Sequence, residues 1–109
     1  MTTAVLGDFR LDTLSRVGTA MADGVRRQIL VQLLDGPSYP ADLATELGEG
    51  RANISNHLAC LRGCGLVRAT REGRQIRYAI ANRTLARALR LLCELELVVE
   101  LGHTDLDGR

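Results

Sequence analysis

Apolar residues recur at helical spacing over most of this chain and change to alternation only once. From about Leu11, the positions Leu14, Val17, Ala20 and Met21 repeat at three- and four-residue intervals and predict a first helix. Residues 1–10 carry no such pattern and are expected to form a mobile arm. Between Asp23 and Leu34, the residues Val25, Ile29, Leu30, Leu33 and Leu34 form one stripe, a second helix. Asp35-Gly36-Pro37 stops it, since glycine suits a C-terminal cap and proline cannot continue the helix. Pro40 suits the first turn of a short third helix, Ala41 to Leu47, because the N–H it lacks would be unpaired there. Gly48-Glu49-Gly50 then turns the chain into a fourth helix, Arg51 to about Gly63. Two short helices joined by a glycine-containing turn make a helix-turn-helix unit.

After Gly65 the period falls to two. Leu66-Val67-Arg68-Ala69-Thr70 and Gln75-Ile76-Arg77-Tyr78-Ala79-Ile80 read as strands, with Arg71-Glu72-Gly73-Arg74 as the connecting hairpin, a wing. Asn82 is placed to cap a long last helix carrying Leu85, Leu89, Leu92, Leu95, Val98 and Val99. That apolar density exceeds what one intramolecular contact needs and predicts a second surface for a partner subunit. The expected fold is therefore mainly α with a small β-hairpin: one winged helix-turn-helix domain over 1–109, with a tail at 102–109. It is expected to dimerise through the first and last helices.

Composition refines the picture. A chain of 109 residues holds one core, and with 46% hydrophobic residues it folds but gains from dimerisation. Aromatic residues are only 3%, too few for a platform that stacks single-stranded bases. The net charge of +1 hides an asymmetry. Between Arg62 and Arg90 lie the arginines 62, 68, 71, 74, 77, 83, 87 and 90 against the single acid Glu72, whereas acids dominate from Leu91 onward. Such a basic segment is either a solvated face or the footprint of a local DNA contact. Every basic residue is arginine, the better bidentate partner for phosphate and guanine. No secretory signal and no membrane-length apolar run is visible, so a cytoplasmic location is expected. In that reducing compartment three cysteines are free thiols or metal ligands rather than disulfides.

On the fourth helix, Ile54, Leu58 and Leu61 share the core side, while Arg51, Ser55, Arg62 and, further round, Asn56 point away. These side chains are of the types that reach base edges and phosphates in a major groove. Arg71, Arg74 and Arg77 of the wing would meet the backbone or minor groove alongside. Asn53-Ile54-Ser55-Asn56-His57-Leu58-x-x-Leu61, then Gly65-Leu66-Val67 and Arg71-Glu72-Gly73-Arg74-x-x-x-Tyr78, resembles the ArsR/SmtB family of metal-responsive repressors. The likeness covers about residues 12–100. It implies a homodimer on a twofold-symmetric operator of double-stranded DNA, released by an effector, with Asn53 and His57 also in the DNA-binding helix. A lone histidine there is a packing residue or a phosphate contact more often than a ligand.

Cys60 and Cys64 stand four apart, on one face of the fourth helix and off its core stripe. The pair is either a thiolate chelate for a soft cation or two small buried hydrophobes. Leu58-Ala59-Cys60-Leu61-Arg62-Gly63-Cys64-Gly65-Leu66 resembles the cadmium- and lead-sensing branch of the family. That resemblance implies that both cysteines are ligands and that a third thiolate comes from the partner's C-terminal tail. Here the tail lacks cysteine, so Cys93 or His103 of either subunit is the candidate third donor, with Asp105 behind them. Cys93, which is equally placed to be core, would favour Cd(II), Pb(II) or As(III), whereas His103 would favour Cd(II) or Zn(II). The third helix has no cysteine pair and the last helix no histidine, which speaks against the family's arsenic and zinc sites there. Two other readings stay open: a thiol-redox switch at Cys60 and Cys64, and a constitutive DNA-binding module. An enzyme is not expected, because a cysteine nucleophile needs a base and an orienting partner around a pocket.

Overall fold

The computed structural model describes residues 2–100, with the backbone alone for 2–7. Five helices and one hairpin follow in the order α1 (Thr2–Met21), α2 (Gly24–Leu34), α3 (Pro40–Leu47), α4 (Arg51–Gly63), β1 (Val67–Glu72), β2 (Gln75–Ile80) and α5 (Arg83–Glu94). The winged helix-turn-helix layout is the one expected, with three boundaries moved. The first helix begins at Thr2, so the backbone of residues 2–10 is helical. No proline interrupts that stretch, and Phe9, Leu11 and Leu14 are all exposed.

The last helix ends at Glu94, short of Val98 and Val99, with Leu95 already extended at φ −65° and ψ 136°. Leu95-Glu96-Leu97-Val98-Val99-Glu100 carries two adjacent β-branched valines, which lower helix propensity, and all six residues are exposed, so no core contact holds them in a helix. The wing is also tighter than expected. β1 continues through Arg71 and Glu72, which pair with Ile76 and Gln75, leaving a two-residue loop of Gly73 and Arg74. Gly73 at φ 60° makes that loop possible, in the manner of a type II′ turn with glycine first.

The helix starts have local causes. Asp23 Oδ2 accepts from the backbone N–H groups of Val25 and Arg26 at 2.9 and 3.1 Å, and Asn82 Oδ1 accepts from Leu85 at 2.8 Å. Gly48, at φ 66°, closes α3 in the left-handed conformation and sets the turn into α4. The core is aliphatic. Ile29, Leu43, Ile54, Leu58 and Leu61 are wholly buried, joined by Ala20, Leu30, Leu33, Leu66, Val67 and Leu89. Each such Leu or Ile contributes about 1.5–3 kcal/mol on burial. α4 supplies three of them, so its orientation is set by the core, and its other face is left free.

The hairpin is not isolated. Ser38, just before α3, pairs with Tyr78 of β2 through N–H···O bonds of 2.9 and 2.8 Å in both directions. The wing is thereby joined by backbone to the loop that enters the helix-turn-helix.

Candidate nucleic-acid interface and metal centre

Burial of Ile54, Leu58 and Leu61 turns Arg51, Ala52, Ser55, Asn56, Ala59 and Arg62 outward on α4, and all six are exposed. Arg51, Ser55, Asn56 and Arg62 therefore share the accessible face expected of them. Asn53 is exposed too, but its Nδ2 donates to Glu49 Oε1 at 2.8 Å, which ties it to the turn preceding the helix. In the wing, Arg74 stands in the loop and Arg71 Nη1 donates to the Gly73 carbonyl at 3.2 Å. Arg77 is half-buried and its Nε lies 3.2 Å from Glu72 Oε2.

His57 is placed otherwise than an outward DNA contact. Only 17% of its side chain is exposed, and it faces the elbow between α1 and α2. Arg26 Nη1 lies 3.4 Å from His57 Nδ1. A guanidinium can only donate, so in a hydrogen bond at this contact Nδ1 is the acceptor. The ring's Nε2 lies 3.6 Å from Asp23 Oδ2. Arg26 also donates to the carbonyls of Thr19 and Ala20, at 2.8 and 3.1 Å. Backbone hydrogen bonds from α2, that of Arg26 foremost, hold the Asp23 carboxyl below its ordinary pKa. His57 thus ties α4 to the elbow. Asp23 and Arg26 were not picked out from the sequence, although an aspartate immediately before a helical stripe is a recognisable N-cap signal.

At the other end of α4, Cys60 and Cys64 are half-buried. Cys64 is the helix C-cap, with its N–H donating to the Cys60 carbonyl at 3.0 Å. Burial first, then the neighbouring Cys60, pushes the Cys64 thiol above its ordinary pKa. Cys64 opens on a hollow of about 740 Å³ between α1 and α5, beside Phe9, Leu14, Val17, Leu85 and Leu89. Two sulfurs one helical turn apart suit a soft cation. Among the described residues, however, no group of three His, Cys, Asp or Glu side chains is assembled. Cys93 is exposed on the last turn of α5 rather than in the core, next to Met21, Arg27 and Leu89. His103 and Asp105 lie outside the described residues.

This arrangement, a helix-turn-helix with a free polar face and a basic wing braced beside it, defines a winged-helix transcriptional regulator. The chain belongs to the bacterial regulatory protein arsR family, whose model matches residues 23–69. It is 57% identical over 93 residues to the HTH-type transcriptional regulator CmtR of Mycobacterium tuberculosis, spanning 85% of this chain and 79% of that protein. Its structure is similar to the NMR structure of the cadmium metal-sensor CmtR from the same organism: TM-score 0.65, 59% identity, 79% of this chain and 90% of that one. A homodimeric winged helix-turn-helix DNA-binding domain from Mycobacterium bovis matches over 94% of this chain and 90% of its own, with TM-score 0.76 and 33% identity. No described helix is long and apolar enough to cross a membrane.

Proposed function

We propose that this chain is a homodimeric repressor that binds double-stranded operator DNA and is released by a thiophilic metal ion held by Cys60 and Cys64. The observation that carries this reading is the pair of half-buried thiols four residues apart at the C-terminal end of the recognition helix, with Cys64 open to a hollow. The likeness to a cadmium sensor makes Cd(II) the first effector to try. Pb(II), As(III) and Zn(II) follow from the same soft donor set. Arg51, Ser55, Asn56 and Arg62 meet the major groove, and Arg71 and Arg74 the flanking backbone.

The chain's own residues supply the coupling. α4 is anchored in the middle by Leu58 and by His57 at the elbow, while its last turn carries both sulfurs. Tying those sulfurs to a third donor on the tail or on the partner subunit constrains where α4 can sit. Release requires only that this arrangement be the DNA-incompetent one, and by reciprocity DNA then weakens metal binding. A coupling of about 1–3 kcal/mol gives several-fold to hundredfold release. With no third ligand assembled among the described residues, His103 and Cys93, from either subunit, are the donors to test.

Titration of the reduced protein with Cd(II), followed by ultraviolet absorption, tests the proposal. A thiolate–metal band saturating at one ion per subunit is expected, abolished by Cys60→Ser or Cys64→Ser. Cys93→Ser lowers the band if Cys93 is the third donor, and His103→Ala weakens affinity without removing thiolate absorption if the imidazole is. Absence of any band, together with peroxide-dependent loss of both free thiols, would replace the metal reading by a redox switch. Absence of both leaves a constitutive regulator.

A further inference from the structure

We propose that Tyr39, Glu72 and Arg77 form a latch that sets the wing against the helix-turn-helix, and that Arg77 serves this latch instead of a DNA phosphate. The inference rests on the DNA-binding reading above. Glu72 is the one acid among the basic residues of 62–90, and it sits at the tip of the wing, where a polyanion would repel it. Both of its oxygens are engaged. Oε1 accepts from the Tyr39 hydroxyl at 2.6 Å, and Oε2 lies 3.2 Å from Arg77 Nε. Donation to Glu72, above all else, raises the Tyr39 phenol above its ordinary pKa.

The placement of the partners gives the contact its meaning. Tyr39 is the N-cap residue of α3, and its neighbour Ser38 is paired by backbone with Tyr78. The hairpin is therefore held to the helix-turn-helix at two points, Ser38–Tyr78 toward its root and Tyr39–Glu72 toward its tip. One point of attachment leaves a pivot, whereas two fix an angle. Glu72 and Arg77 lie diagonally across the strand pair, since Glu72 opposes Gln75 and Thr70 opposes Arg77, so they share one face. The opposite face carries Arg71, and the loop carries Arg74, leaving these two arginines for DNA. Exposed pairs of this kind add little to global stability, so breaking the latch leaves the fold intact while loosening the wing.

Binding to a mixed-sequence duplex of about 25 base pairs, measured against salt concentration, separates the possibilities because most of that affinity is phosphate contact. Simple electrostatics predicts that Glu72→Ala, by removing a negative charge, strengthens binding. A latch predicts several-fold weakening, the opposite sign. Tyr39→Phe leaves charge unchanged and is expected to weaken binding equally, with an unaltered melting temperature. The two changes combined should cost no more than either one, because they break the same contact. Arg77→Ala in the Glu72→Ala background should leave the salt slope unchanged, whereas Arg74→Ala lowers it by about one. In the Glu72→Ala variant the Tyr39 phenol should also titrate at a lower pH, read from its ring resonance. Stronger binding by Glu72→Ala, an inert Tyr39→Phe, or a slope lost with Arg77 overturns the latch. A wild-type protein that does not bind the duplex would overturn the DNA-binding reading itself.

Discussion

Gly48 shows how much of the site depends on single residues. Its φ of 66° lies in the left-handed region, and nothing lies within 4 Å of where a Cβ would project. Gly48→Ala therefore carries only a backbone penalty, and about 1 kcal/mol of lost stability is expected in a urea titration. A penalty much larger than that would point to a clash where the structure has open space. Leu58 is the contrasting case. It is fully buried and has no freedom to relocate, so Leu58→Ala should cost about 2–5 kcal/mol and loosen the recognition helix with it. Cys64 adds a dependence on pH. Burial favours its neutral thiol, so the native state gains from it below the ordinary thiol pKa, and that gain fades as pH rises through the elevated folded value. The same preference means that a metal must displace the Cys64 proton. Cd(II) affinity should then rise with pH, by about tenfold per pH unit for each proton released, as long as the thiol is protonated beforehand. Affinity flat between neutral and mildly alkaline pH would show that Cys64 is not a ligand.

At the scale of elements, periodicity was a sound guide wherever the core decides the structure and a poor one where it does not. Ile54, Leu58 and Leu61 announce both the fourth helix and, by exclusion, its outward polar face, because a buried stripe leaves only one orientation. Phe9 at one end and residues 95–100 at the other are exposed, so no core stripe could reveal that the helix begins well before Leu11 or that the last one stops at Glu94. The wing's register escaped for another reason: it depends on Gly73 accepting a positive φ and on the Ser38–Tyr78 pairing, a contact 40 residues apart in sequence. For the site, the cysteine pair and the polar face of α4 were legible as residue types at a spacing. The inward turn of His57 was not, since it is set by Arg26 and Asp23 from a different helix. Two predictions belong here. Asn82→Ala removes the cap of α5 and should cost about 1 kcal/mol in thermal or urea unfolding, with DNA binding by the folded protein preserved. Asn56→Ala should do the reverse. Selection of bound sites from a random duplex library should show relaxed preference at one base position per half-site, worth about 1–3 kcal/mol, with unfolding unchanged.

On the scale of the whole molecule, a single chain leaves too much apolar surface uncovered to be the working unit. Phe9 and Leu14 of α1 and Leu91 of α5 are each more than 60% exposed, on the two helices that flank the hollow beside Cys64. A helix pair of this kind is an interface awaiting its counterpart, and a specific dimer covers about 1,200–2,000 Å² in total. Under the proposed function, the arrangement ties quaternary structure to both DNA and metal binding. Two recognition helices read two half-sites only when the dimer fixes their separation. Were the proposed third metal donor to come from the partner, the thiol pair, with none assembled beside it among the described residues, would meet it only in the dimer. Leu14→Glu places a charge in the centre of that face and should yield monomers in sedimentation experiments, with the helical circular dichroism retained. Duplex binding should then fall steeply. Metal binding discriminates further. If the third donor belongs to the partner subunit, Cd(II) affinity of the monomeric variant should drop at least about tenfold, the lower end of what even outer-shell changes cost a metal site. It should also recover on raising protein concentration, because association restores the donor. If the donor is the chain's own tail, affinity should be the same in monomer and dimer. The metal would then act on α4 within each subunit, and release from DNA would not need the interface to carry the signal.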